Sequence, residues 1–387
     1  MTDVSSDPTD VLRARTSEKW AEHPDDVLPL FVAEMDYPLA DPIRRVLHEA
    51  IDRGDTGYVA SANPLAGAFC GFAGRRWNWD LTDATVLSTA DVSMGIVEIL
   101  RAVTAPGDRV AITPPVYPPF FDLVAEAGAS VTEVPLVDTG DGPRLDLDGL
   151  ETAFAGGARA FVLCNPHNPL GLLHSRAELA RVAELALAFN VRVISDEIHA
   201  PLTHPGATFV PYLSASTVAR ENGFALHSAS KAWNIAGLKC ALMVAEGEEP
   251  KSILAGLPVE VTWRTGQFGM LASTAAYREG EGWLDGARAS IKANLDLLDE
   301  LRREHLPDVS WRRPDAGYLA WLDFRGRGWG DDPAARILEQ ARVALSPGTG
   351  FGSGGSGWAR INVACSPELL TEAVRRIAAI PPGPQRQ

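Results

Sequence analysis

Cysteine is scarce in this chain, and the four present stand alone. Cys70, Cys164, Cys240 and Cys365 are far apart, each in an apolar setting, with no CxxC pair and no Cys/His spacing. A disulfide framework is not the expected source of stability, and zinc is not indicated; four reduced, buried thiols suit a cytoplasmic protein. The sequence also lacks any cluster of lysine and arginine, and 35 basic residues against 50 acidic ones leave a net charge of −15. Nucleic acid is therefore not an expected partner. Long apolar runs are missing as well. The first apolar stretch, residues 27–33, is short and contains Pro29, and what precedes it is polar and mixed in charge. Neither a signal peptide nor a membrane span is expected. No internal repeat is visible, and the Gly/Ser run 348–357 is too short for a linker and better suited to a loop at a site.

What the chain does have is 387 residues, 46% of them apolar, enough for a large hydrophobic core. From about residue 85, short β-branched runs alternate with helical patterns. Strands are expected at 85–88, 109–113, 130–136, 158–164, 191–195 and 224–227, and helices at 92–103, from about 118, and at 177–189. This alternation predicts an α/β fold with a mostly parallel central sheet sandwiched by helices. A long helical stretch near 280–305 leads to a different tail: a strand at 318–323, a helix at 333–341, the glycine-rich loop, a strand at 360–363 and a closing helix. Residues 46–284 read as a large domain. Residues 1–45 and 285–387, the N-terminal arm and the C-terminal tail, read as a smaller α+β domain.

Lys231 lies between two apolar segments, 224–226 and 240–245, is preceded by Ser228 and Ser230, and is followed by Lys239. A lysine in a low-polarity cleft loses its proton more readily, and the free amine is the form that makes Schiff bases. The hydroxyls and the second cation suit a phosphate. Schiff base and phosphate in one site suggest pyridoxal 5′-phosphate (PLP), whose aldehyde is held by a lysine and whose ring nitrogen is paired with a carboxylate.

Four further segments match that requirement. Asn165-Pro166-His167-Asn168-Pro169-Leu170-Gly171 follows a strand, and its prolines and glycine fix a loop that can aim the Asn168 amide; a plain strand-to-helix turn is the alternative. Asp196, in Asp196-Glu197-Ile198-His199, sits at a strand end where its carboxylate could meet a ring nitrogen or merely cap a helix. Tyr117, on the stiff loop Pro114-Pro115-Val116-Tyr117-Pro118, is placed to stack on a planar cofactor or to pack in a core. Ala90-Asp91-Val92-Ser93-Met94-Gly95 opens a helix, and a helix N-terminus presents free N–H groups to phosphate.

Together and in this order, these segments resemble fold-type I PLP enzymes of the class I/II aminotransferase family over essentially the whole chain. Within that family the resemblance is to the cystathionine β-lyase (cysteine-S-conjugate β-lyase) branch. It is carried by Val32-Ala33-Glu34-Met35-Asp36, Thr56-Gly57-Tyr58, the segments 165–171, 196–199 and 228–231, residues 234–238, and Ser346-Pro347-Gly348 ahead of Arg360-Ile361-Asn362. His199 marks the branch, because many aminotransferases have tyrosine there.

The resemblance implies that Lys231 holds the cofactor and moves the substrate's Cα proton. Asp196 would pair with the ring nitrogen, Asn168 and His199 would address the ring's phenolic oxygen, and Tyr117 would stack on its face. The phosphate would take the Val92 and Ser93 N–H groups, the Ser228 hydroxyl, Lys239, and Tyr58 from a second subunit. Arg360, with Asn168, would bind the substrate carboxylate. A homodimer with shared sites is implied, acting on a small amino acid as a PLP-dependent carbon–sulfur lyase. It would cleave cystathionine or a related cysteine S-conjugate to a thiol, pyruvate and ammonia. An aminotransferase on the same residues, or a PLP-binding regulatory module, are the alternatives. Two positions depart from the family pattern. Asp91 stands where many relatives have glycine, which brings a carboxylate towards a dianionic phosphate, and Lys239 stands where arginine is frequent, which replaces a fork by a point charge.

Overall fold

A computed structural model describes residues 3–140 and 142–384. Seven strands form the central sheet in the spatial order Thr85–Thr89, Ala241–Ala245, Gly223–His227, Arg192–Asp196, Ala158–Cys164, Arg109–Ile112 and Ser130–Glu133. Ala241–Ala245 runs antiparallel to both its neighbours, and every other pairing in the sheet is parallel. The sheet is buried on both faces, and side chains alternate between them with the strand period of two. Val110, Ile112, Ala160, Val162, Phe224 and Leu226 enter one core cluster with helix Val92–Val103, while Ala111, Phe161, Leu163 and Ala225 enter the other with helix Arg176–Ala188. Helix Val92–Val103 lies tightly on the sheet because residue 95 is glycine; a Cβ there would collide with Leu226.

One strand expectation needs correction, and one hairpin was not expected. The strand expected at 130–136 stops at Glu133, and Val137–Asp138 then pairs with Pro143–Arg144 in a hairpin that the sequence pattern did not reveal. None of its paired residues is buried, so no buried face imposes the apolar alternation by which strands are recognised.

The C-terminal part builds a second, antiparallel sheet in the order Ser310–Trp311, Leu319–Asp323, Trp358–Asn362, Ser346–Pro347. The N-terminal arm lies against it: Leu28–Pro29 pairs in parallel with Val343–Ala344 in a separate two-stranded sheet, and Asn362 Nδ2 donates to the carbonyls of Val32 at 2.8 Å and Glu34 at 2.6 Å. The arm is also tied to the large sheet. The Asn234 amide accepts from Met35 N–H and donates to the Met35 carbonyl, both at 2.8 Å. Upstream, Lys19 and Asp36 form a wholly buried ion pair at 3.0 Å, and Trp20 Nε1 donates to the same carboxylate.

The limits expected at 45/46 and 284/285 fall inside the continuous helices Asp41–Asp52 and Glu281–His305. A hydrogen-bonded helix moves as one rod, so we shift the proposed limits to just before Asp41 and to Gly280, the N-cap of the long helix. Residues 1–2 and 385–387 of the expected small domain, and Asp141 of the large one, lie outside the described residues. Among the described residues no helix is long and apolar enough to cross a membrane.

Candidate active site

Parallel strands bring all their C-terminal ends to one edge of a sheet, and an antiparallel neighbour starts at that edge. Here the loops leaving that edge converge on a single cavity. Asp91, Val92 and Ser93 follow strand Thr85–Thr89, Tyr117 follows Arg109–Ile112, and Asn168 follows Ala158–Cys164. Asp196 closes strand Arg192–Asp196 and is followed by Ile198 and His199, and Ser230 and Lys231 follow Gly223–His227. Lys239 and Cys240 stand just ahead of Ala241–Ala245, and Ala33 reaches in from the arm.

Lys231 Nζ donates to the Ala33 carbonyl at 3.1 Å. Burial pushes its amine down to about 8; the Arg360 charge adds to the shift, and Glu34, Glu18 and Asp196 oppose it. Asp196 is 5% exposed, and burial raises its carboxyl to about 7 despite an N–H bond from Ile198 to Oδ1 at 3.1 Å. That bond leaves Oδ2 for another donor. His199 is held neutral, its pKa pushed to about 3 by burial and by the charges of Lys231 and Arg360.

The other end of the cavity is a helix mouth. The Val92 and Ser93 N–H groups have no hydrogen-bond partner among the described residues, as expected for the first turn of a helix. Asp91 caps this helix, its Oδ1 accepting from Met94 N–H at 2.8 Å, while its Oδ2 pairs with Lys239 Nζ at 3.0 Å.

Ser228 is not on this wall, and neither is Tyr58, which was expected to serve a second subunit. Ser228 is buried with its hydroxyl donating to the Cys240 carbonyl at 2.6 Å and accepting from Ser230 N–H, so it fastens two neighbouring strands; Ser230 faces the cavity instead. Tyr58 is 88% exposed and touches Trp263, outside this subunit's cavity.

Arg360 stands behind Asn168. Its Nη1 donates to Asn168 Oδ1 at 3.1 Å, and its Nη2 donates to the Phe31 carbonyl and the Ser346 hydroxyl, each at 2.9 Å. Burial lowers its pKa to about 10, which still leaves it charged near neutral pH. These tethers were not foreseen, nor was Tyr318, whose hydroxyl donates at 2.9 Å to the same Ala33 carbonyl that holds Lys231. The tyrosine next to Gly317 was the available signal; a backbone carbonyl gives none.

The set fits pyridoxal phosphate. One cavity offers an amine of lowered pKa, a buried carboxylate with an open oxygen, an aromatic ring, and unpaired helix N–H groups beside a lysine.

Comparison with known proteins gives an independent view of the same chain. The family model described as aminotransferase class I and II matches residues 26–377. The chain is 46% identical, over 95% of each sequence, to a protein of Mycobacterium leprae (strain TN) whose name as a cystathionine beta-lyase is provisional. It is 34% identical, over 92% of each, to cystathionine beta-lyase PatB of Bacillus subtilis (strain 168). A crystal structure from Corynebacterium diphtheriae, described provisionally as a PLP-dependent beta-cystathionase, superposes with a TM-score of 0.91 at 32% identity, covering 97% of this chain and 98% of that one.

Proposed function

The chain belongs to the class I and II aminotransferase family, and from that premise we propose that it is a PLP-dependent C–S β-lyase acting on cystathionine or a related cysteine S-conjugate. The observation that carries the reading is the half-buried Lys231 amine, brought down to about 8, in one cavity with the buried Asp196 carboxylate. The lyase names of the relatives favour C–S cleavage over amino transfer on the same residues.

Bound in the cavity, PLP supplies an aldehyde that condenses with amines and a protonated ring that takes up an electron pair. The protein's own residues do the rest. Asp196 Oδ2 would receive the ring N–H and keep that nitrogen protonated, and Tyr117 would stack on the ring. Neutral His199 would donate a hydrogen bond to the phenolic oxygen without adding a charge, together with Asn168. Arg360 and Asn168 hold the substrate carboxylate. Both Nη2 protons of Arg360 are already engaged, so a two-pronged contact displaces Phe31 or Ser346 from the guanidinium. The Lys231 amine, resting on the Ala33 carbonyl, takes the substrate's Cα proton. The Cβ–S bond then breaks, the thiol leaves, and the three-carbon enamine that remains adds water to give pyruvate and ammonia.

The test is to supply cystathionine without any 2-oxo acid. Release of pyruvate and a thiol supports the lyase. A strict requirement for a 2-oxo acid makes the protein an aminotransferase, and silence in both assays leaves a PLP-binding module.

We propose a homodimer as the working unit, supported by the exposed aromatic and apolar residues Tyr58, Trp263 (61%) and Val259 (61%), which lie open on one subunit. Tyr58 would donate to the phosphate bound in the partner, so each site is built from two copies across an isologous interface. Tyr58→Phe is expected to weaken PLP retention by at least about tenfold, since a hydrogen bond to a charged group contributes roughly 1.5–3 kcal/mol. The measurement is subunit mixing: Lys231→Ala and Tyr58→Ala chains, each inactive, should regain activity when refolded together. A fully active monomer rules the shared site out. A cytoplasmic location is supported by four cysteines that are all free.

A further inference from the structure

We infer that Asp91 sets how tightly this chain holds the phosphate of its cofactor, by competing with that phosphate for Lys239. This rests on the PLP reading above and adds to it a determinant of cofactor affinity. The carboxylate has two tasks at once. Oδ1 caps helix Val92–Val103 through Met94 N–H at 2.8 Å, and Oδ2 is 3.0 Å from Lys239 Nζ. The cap fixes the carboxylate at the helix mouth, beside the open N–H groups of Val92 and Ser93 where a phosphate would dock. It cannot swing away without uncapping the helix.

Lys239 is held at its root as well, in a left-handed backbone conformation at φ +57°. Lys231 and Lys239 are the cations on the cavity wall among the described residues, and Lys231 is committed to the aldehyde. The phosphate end therefore offers one ammonium, already matched by one carboxylate, and otherwise only the partial positive charge of the helix mouth. A phosphate arriving there meets a fixed like charge and must share the Lys239 ammonium with it. Asparagine at 91 would keep the cap, because its side-chain oxygen still accepts from Met94 N–H, while removing the competing charge.

The experiment titrates cofactor-stripped full-length protein with PLP and, separately, with pyridoxal, which has the same aldehyde and ring but no phosphate. Binding is followed by the visible absorbance of the lysine adduct. For Asp91→Asn the dissociation constant for PLP should fall about tenfold relative to the native chain, while that for pyridoxal stays unchanged. An unchanged or weaker PLP affinity overturns the inference, and so does equal tightening for both ligands, which would trace the effect to the fold. If the native chain forms an adduct with neither aldehyde, the PLP reading itself falls, an outcome distinct from a native chain that binds PLP while Asp91→Asn gains nothing.

Discussion

Lys231→Ala should lower pyruvate release from cystathionine by at least about 10³-fold, because one substitution removes both the amine that holds the aldehyde and the base that takes the Cα proton. The fold should survive. Lys231 Nζ donates only to the Ala33 carbonyl among the described residues, and Tyr318 also donates to that oxygen, so truncation orphans no buried acceptor. Native chain stripped of PLP should recombine with it at a rate that rises as pH passes through about 8 and levels off above, since only the unprotonated amine attacks. Arg360 is the neighbouring charge that helps to lower this value, so Arg360→Met should move the midpoint upward. Turnover near the native rate in Lys231→Ala, measured as pyruvate per bound PLP, would remove Lys231 from the mechanism.

Asp196→Ala is expected to cost about 10²–10³ in kcat with PLP kept saturating, the scale seen when a preorganised electrostatic partner is deleted from a dry site. The physical reason lies in its burial. Out of water the carboxyl is pushed up to about 7, so its charged form is poorly solvated and gains unusually much from a cation placed against it. A protonated ring nitrogen is such a cation. Asp196→Asn keeps the Ile198 N–H bond but not the charge, and should lose nearly as much, which separates electrostatics from packing. Normal turnover in either variant at full PLP occupancy would show that the ring needs no carboxylate partner.

The large sheet was legible because strands buried on both faces must be apolar throughout: Ala158–Cys164 and Gly223–His227 stand out as short apolar runs between turn residues. Helix Val92–Val103 was legible from its helical pattern, while the capping role of Asp91 emerged only with the structure. The proposed domain limits moved to helix starts that no capping side chain marks, since Asp41–Asp52 follows Ala40 and Glu281–His305 follows Gly280. In the site, Lys231 and Asp196 could be read from the chemistry their surroundings implied. Ser228 was expected at the phosphate, and nothing in the sequence signalled that its hydroxyl would meet the Cys240 carbonyl. The supports of Lys231 and Arg360 escaped because the oxygens of Ala33 and Phe31 belong to the backbone, which looks the same in every residue.

The clasp on the arm bears on how the molecule comes into being. Phe31 meets Arg360 across 329 positions of chain, and Val32 and Glu34 meet Asn362 across 330 and 328. A ribosome makes the arm first and its partners last. Until the segment 343–362 has emerged, Leu28–Pro29 has no strand to pair with, the Phe31 carbonyl lacks its donors Arg360 and Ser346, and the arm that carries the Lys231 acceptor is only partly fastened. The large sheet can assemble during synthesis, yet the site is completed only by closing a loop nearly as long as the protein. Such late, non-local closure is slow. Chains halted before that segment should therefore be folded in their centre and chemically inert, and refolding should recover helix and sheet signals well before it recovers activity.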